Sequence, residues 1–437
     1  MLGTIIVREI QEYIKSKKFL IGLLVTIFLV TLSTVINIED FQRRNNDYHT
    51  ALQLSKSLFI KVYRPPQVLS IFAQGKDRIF GTTVTLMYGK ISTITTGYMG
   101  VLFDKDNQLG AGFSTVDFSF IVKIVLSLLV IFFAYNSISG EKANGTLKMV
   151  LANRVPRDTM ILGKCIGGLF VIILSLLIAL IFSLLIIVLH PAVSLGIPDW
   201  IRIFGMFGVS ALYLAVFYIM SFFISVMVNR PSTALIVLLQ LWLFLTVIYP
   251  NATVIIVKKW YSVSSEEELY RRKYEPTKEI QELNDRIKEL RKTGNREQSR
   301  QLSQKIREMR GNELAVRNYQ IDSEFRNELH RQAECAQNIA ILSPSVLYDK
   351  IMIRLAKTGM AEFEKFIDAL LPYYRMLLKS ELFSREADSD KLPIFSYSTE
   401  KAEESFFVAA SDVLVLFLFG TVFFVLSYAA FLKKDVR

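Results

Sequence analysis

Gly167–Leu189 reads GGLFVIILSLLIALIFSLLIIVL, 23 residues without a charge. A helix needs about 20 apolar residues to cross a bilayer. This run is long enough, and nothing in it favours water. Five more stretches resemble it: Phe19–Ile36, Phe118–Tyr135, Ile203–Val228, Ala234–Tyr249 and Phe406–Leu432. The fifth span of the six, Ala234–Tyr249, is short; it either stops before Pro250 or continues through Val257 with a break. Apolar residues make up 52% of the 437, gathered into these blocks. The 21% that are charged are too many for a chain that is membrane throughout. A large part therefore lies in water. Disorder is excluded by 32 Phe and 18 Tyr, and a disulfide-stapled domain by only two Cys.

Lys and Arg in short loops set the orientation. They cluster before the first span (Arg8, Lys15, Lys17, Lys18) and between the second and third (Lys142, Lys148, Arg154, Arg157, Lys164). Arg230 lies between the fourth and fifth, and Lys433, Lys434 and Arg437 follow the sixth. With six spans all of these fall on one side, which is expected to be the cytoplasm. Two long regions then face outward, residues 37–117 and 258–405. The cytoplasmic segments hold 13 basic and 5 acidic residues, so most of the net charge of +11 is a topology signal. Basic residues form no patch with exposed aromatics, so nucleic acid is not an expected partner.

Residues 1–18 lead into the first span. Ile5, Ile6, Ile10 and Ile14 recur at helical spacing, with Arg8, Glu9 and Glu12 elsewhere on the helix. That pattern predicts an interfacial helix lying along the membrane. A charged leading stretch without a small-residue cleavage site argues against a signal peptide.

The loop between the second and third spans, about 138–166, contains SGEKANGTLKMVLANRVPRDTMILGK from Ser139 to Lys164. Leu147, Val150 and Leu151 share one helix face. Pro156 breaks the helix, and Arg157 and Asp158 restart it. A short helix of this kind suits docking of another protein; the plainer reading is a capped, solvated loop.

These residues resemble the type-two ABC exporter permeases. That pattern is a Glu, then Gly-Thr-Leu, then Pro-Arg or Pro-Ser, then Gly-Lys entering the next span. Here it falls on Glu141, Gly145, Thr146, Leu147, Pro156, Arg157, Gly163 and Lys164. The resemblance implies that this segment is a coupling helix touching a separate ATP-binding subunit. Three further segments resemble a subgroup with large outward domains. They are YRPPQVLSIFAQGKDRIFG (Tyr63–Gly81), LSPSVLYDKIMIRLAKTGMAEFEKF (Leu342–Phe366) and the ending FLKKDVR.

No G-x-x-x-x-G-K-[ST] phosphate loop is present, so ATP and Mg are expected on the partner subunit and no cofactor on this chain. His49, His190 and His330 are scattered without metal-ligand spacing, and no G-x-S-x-G elbow occurs. Cys165 and Cys335 fall on opposite sides of the membrane and are not expected to pair. Asn251-Ala252-Thr253 has glycosylation spacing that a bacterial protein would not normally use.

In the first outward region, Ser57–Tyr63 and Thr82–Met87 suit strands, and the glycines of Ser92–Gly112 suit a loop. In the second, Ile280, Leu283, Ile287 and Leu290 make a heptad seam. Thr293-Gly294-Asn295 supplies a turn, and Leu302, Ile306 and Met309 line the return. Ala315, Tyr319, Phe325 and Leu329 extend that stripe. A helical hairpin is expected over about 278–342, packed on its own domain, the first outward region, the same arm of a second copy or another protein. Lys350, Arg354 and Lys357 form a row, read as a solvated face or as a contact to lipid headgroups or an acidic partner. The predicted fold class is thus a polytopic α-helical membrane protein with six transmembrane helices, an N-terminal interfacial helix and an α+β extracytoplasmic domain bearing a hairpin arm.

Ionisable residues in spans mark function by default. Lys123 in the second span has three readings: a pair with Asp412 of the sixth, snorkelling to the interface, or contact with an anionic substrate. Gln240, Tyr213 and Tyr218, with Ser221, either line a path between two copies or bond neighbouring helices. The functional expectation is an exporter permease in a bacterial inner membrane, paired with a second copy or a paralogous permease. The rival is a mechanotransmitting subunit that works on an extracytoplasmic partner through the helical arm.

Overall fold

In the computed structural model the described residues are 2–53, 60–75, 77, 83–87, 90–92, 116–152, 156–308, 314–379, 395 and 402–433. Six helices are long and apolar enough to cross a membrane: Lys17–Thr50, Phe118–Ala143, Arg157–Leu189, Ile197–Met227, Pro231–Trp260 and Phe406–Lys433. Each contains or overlaps one predicted span. Most of the expected loop at Ser92–Gly112, the return of the arm at Met309 and the tail beyond Lys433 lie outside the described residues, as do the side chains of Val150 and Leu151.

The fourth span is the hub. Met206, Tyr213, Phe217, Tyr218, Phe222 and Val226 are all buried on it. Around it stand the second, third and sixth spans and the helix Pro344–Ala356. Serines make these contacts close: Ser210 and Ser221 return their hydroxyls to carbonyls one turn back, at 2.7 Å each. These two buried hydroxyls are thus satisfied within the helix, as an apolar surround favours.

The first span belongs to a helix of 37 residues, Lys17–Gln53. At 1.5 Å per residue it is about 55 Å long, well beyond a hydrocarbon core of about 30 Å. Its far end leaves the membrane and is tied down by ions. Arg44 bonds Asp40 at 2.9 Å and Asp77 at 2.8 Å, and Arg64 bonds Asp77 at 2.7 Å. These bonds bind the segment after Tyr63 to the first helix. Thr358 Oγ1 donates to the Ala73 carbonyl at 2.8 Å. Two segments that carried the family resemblance, 63–81 and 342–366, therefore pack on each other.

Two spans contain a π-helical turn, Ile121–Leu126 and Phe244–Ile248. The second explains the short-looking fifth span. Pro250 has no N–H to give residue 246, and the wider turn absorbs the loss, so the helix runs on to Trp260.

Strands β1 (Ile60–Tyr63), β2 (Thr83–Met87) and β3 (Lys90–Ser92) form an antiparallel sheet in that order. Ile60 pairs with Leu86, and Leu86 with Ile91. Helices Glu266–Lys292 and Arg296–Glu308 fold back on each other across Thr293-Gly294-Asn295. Ile280, Ile287 and Ile306 are buried between them, with Leu283 and Leu302 alongside. Gly294, at φ 78°, makes that reversal in the left-handed region. On the long helix Leu314–Ile339, Phe325 and Leu329 are buried as the stripe predicts.

Candidate docking surface and the charge cluster behind it

Where the second span ends, Ser225 Oγ of the fourth span accepts the backbone N–H groups of Ile138 and Ser139, at 3.1 and 3.0 Å. The chain can therefore turn there without orphaned donors. A short helix Ser139–Ala143 follows, then Gly145 at φ 74°, then the helix Thr146–Ala152. Lys142 Nζ reaches the last carbonyls of the fourth span, including Val226 and Val228, as a cation at a helix C-terminus should.

Leu147 anchors the second helix. It is buried among Ile138, Met160, Ile161, Phe222, Val226 and Phe431. Thr146, Ala152 and Pro156 are exposed, and Met149 is 70% exposed. Arg157 donates to the Leu432 carbonyl at 3.1 Å, joining the third span to the end of the sixth. Among the described side chains the result is a short helix anchored by Leu147, with Thr146, Met149 and Ala152 exposed.

Glu141 turns inward. Its Oε1 lies 2.9 Å from Lys164 Nζ, which also meets Glu9 Oε2 at 2.9 Å. Glu9 sits on the N-terminal helix Leu2–Lys15, pressed against the third span. Two glycines permit that approach. A Cβ on Gly163 would lie 2.6 Å from Ile5, and one on Gly167 2.9 Å from Glu9. Burial pushes the Glu9 carboxyl above its ordinary range, against the pull of Lys164. Glu141 Oε2 is buried without a hydrogen-bond partner. One ammonium thus joins the N-terminal helix, the third span and the loop that precedes it. Tyr218 donates to the Lys164 carbonyl at 3.3 Å, and Tyr13 lies 3.2 Å from Ser137 Oγ.

The proposed path residues do not converge. Lys123 does not pair with Asp412; it bonds Asp349 at 2.6 Å. Asp412 instead receives Lys350 at 2.9 Å and Arg354 at 3.4 Å. The physical reason is the helix Pro344–Ala356, which sits between those spans and supplies counter-ions to both. Lys350 and Arg354 are therefore paired, and Lys357 is buried, so the row is not a solvated face. Tyr213 and Tyr218 are fully buried; Tyr213 donates to the Lys123 carbonyl at 3.0 Å and stacks on Tyr348. Gln240 is exposed on the fifth span, apart from the others. The partners Glu9, Asp349, Lys350 and Arg354 were not evident as such from the sequence. The only local hint was the glycine pair before and after Lys164. Among the described residues no His, Cys, Asp or Glu cluster is arranged to hold a metal ion.

A sequence model of the family described as "ABC-2 family transporter protein" matches residues 4–436. A curated protein of Stutzerimonas stutzeri, described as a probable ABC transporter permease protein NosY, is 31% identical over 127 residues. That match takes in 29% of this chain and 45% of the relative, so the chain spans under half of the relative's length.

Proposed function

The chain belongs to the ABC-2 family of transporters, and from that premise we propose that it is the permease subunit of an ATP-driven exporter in a bacterial cytoplasmic membrane. The loop 138–166 then faces the cytoplasm and docks a separate ATP-binding subunit, which carries ATP and Mg. The observation that carries this reading is the short helix Thr146–Ala152, anchored by Leu147 with Thr146, Met149 and Ala152 exposed. Motion of the ATP-binding subunit would press on that helix. Glu141, Lys164 and Glu9 would pass the displacement to the third span and the interfacial helix together.

Both termini lie in the cytoplasm on this reading. The sheet, the hairpin and the helix Pro344–Ala356 form an α+β region on the outer side. A second copy or a paralogous permease completes the pathway, with Lys123, Gln240, Tyr213, Tyr218 and Asp412 as the path residues to test. The deciding experiment is co-purification in mild detergent with the ATP-binding protein encoded beside this chain. Retention of that subunit, and its loss on changing Thr146 and Met149 to Asp, supports the reading. Failure of the intact chain to retain it ends the proposal. Path residues are tested separately: unchanged export and unchanged substrate-stimulated ATPase activity in Lys123→Ala and Gln240→Leu remove them.

A second reading rests on the hairpin arm, whose two helices carry a dense charged surface around a thin seam. The subunit would use ATP to move this arm against an extracytoplasmic partner, passing no substrate. Deleting residues 279–310 separates the two. Lost partner binding with intact transport makes the arm an accessory; lost function where no transport is measurable favours mechanotransmission.

A further inference from the structure

A groove of about 640 Å³ opens sideways from the bundle between the fourth and sixth spans. It lies in the half of the membrane away from the docking loop. Its floor and walls include Gly205, Gly208, Leu212, Leu355, Ala410 and Leu414, and every lining residue is apolar. Its volume falls in the range of about 300–1,000 Å³ usual for small-molecule sites. Small residues make it: Gly208 and Ala410 are exposed, and a Cβ on Gly208 would meet nothing within 4 Å.

The rim is charged. Leu355 and Ile351, on the helix Pro344–Ala356, line the groove; Arg354 and Lys350 are their chain neighbours, and Arg354 bonds the carbonyl of Val408, the residue before lining residue Ala409. Both reach the carboxylate of Asp412, which lies between lining residues Ala409 and Val413. Among the described residues two cations share one buried carboxylate, leaving an excess positive charge there. Arg354 makes its bonds to Asp412 and to the Val408 carbonyl through Nη1 alone among the described residues. Nε and Nη2 keep their donors at the groove mouth. Guanidinium donors arranged this way match phosphate oxygens.

We propose that this groove holds one membrane phospholipid with an anionic headgroup, its acyl chain along Gly205 and Gly208 and its phosphate on Arg354 and Lys350. The apolar walls suit a hydrocarbon chain, and the unbalanced charge at one end orients it. The proposal is independent of any ATP-binding partner and of what the pathway carries.

The test uses the full-length chain in phosphatidylcholine vesicles containing a trace of spin-labelled lipid. The motionally restricted fraction is compared for labelled phosphatidylglycerol and labelled phosphatidylcholine. Phosphatidylglycerol is expected to be held in excess. Gly208→Phe fills the groove and abolishes that excess; Gly208→Leu serves if the larger residue prevents folding. Arg354→Gln weakens the preference about tenfold, the loss of one charge-assisted hydrogen bond. Equal retention of both lipids by the native chain overturns the proposal, as does an excess that survives filling the groove. A change in the number of chains per particle on filling it also overturns the proposal, because the groove would then be an interface between copies.

Discussion

Lys164 Nζ lies 2.9 Å from Glu9 Oε2, a contact that spans 155 positions of sequence. The same nitrogen meets Glu141 Oε1 at 2.9 Å. One buried cation therefore holds the N-terminal helix Leu2–Lys15, the third span and the loop that precedes it. Its two carboxylates outnumber it, so the cluster depends on Lys164 more than on either acid.

Removing the ammonium strands two buried carboxylates. Lys164→Met is expected to destabilise the chain by about 3–5 kcal/mol, the usual cost of breaking a buried pair from one side. Glu141→Gln costs less, because Lys164 keeps Glu9. Thermal unfolding in detergent measures both. A milder effect for Lys164→Met than for Glu141→Gln would contradict this account of the cluster.

The Lys123–Asp349 pair ties the second span to the helix Pro344–Ala356. A double-mutant cycle with Lys123→Met and Asp349→Asn should give a coupling of about 0.5–3 kcal/mol. The cycle of Lys123→Met with Asp412→Asn should give close to none, since Asp412 is held by Lys350 and Arg354.

Asp117 caps the second span. Its carboxylate accepts from Phe120 N at 2.7 Å and from Gln74 N at 2.8 Å. Burial nevertheless pushes its pKa up to about 6, from an ordinary 3.8. A carboxyl raised on folding favours the folded state most at low pH. Its contribution is full below about pH 4 and is lost as pH rises through about 6, a change of roughly 3 kcal/mol at 1.36 kcal/mol per unit. The comparison of native chain with Asp117→Asn isolates it: the stability difference between the two should shift across that window and be flat above pH 7.

The hairpin seam is thin. Ile287 is buried against the return helix with few neighbours, so Ile287→Asp is expected to open the arm while the spans stay folded. Limited proteolysis should cut between 266 and 308 in the variant, with unchanged melting of the membrane core. Loss of both together would mean that the arm and the bundle fold as one unit.

Close packing of the third and fourth spans rests on one glycine. A Cβ on Gly168 would run into the Tyr218 hydroxyl and ring. Gly168→Ala should therefore destabilise by about 1–3 kcal/mol, the cost of overpacking, despite its better helix propensity. Pairing it with Tyr218→Phe should recover part of the loss.

The sequence by itself determined the six spans, because about 20 apolar residues in a row have no other stable place. It also determined the arm: the heptad spacing from Ile280 and the turn at Gly294 are local facts, and the chain obeys them. The short helix and turns of the 138–166 loop were legible for the same reason, since Gly145, Leu147 and Pro156 act within a few residues of each other. The partners of the buried charges were not. A Lys123–Asp412 pair was one of three readings open for Lys123, yet each found its counter-ion on a helix from between the fifth and sixth spans. Glu9 gave no sign of Lys164, although Gly163 and Gly167 mark where the two helices touch. Hydrophobic length and turn chemistry are encoded in neighbouring residues. A salt bridge across 155 or 226 positions is chosen only when the packed helices decide which charges share a dry space.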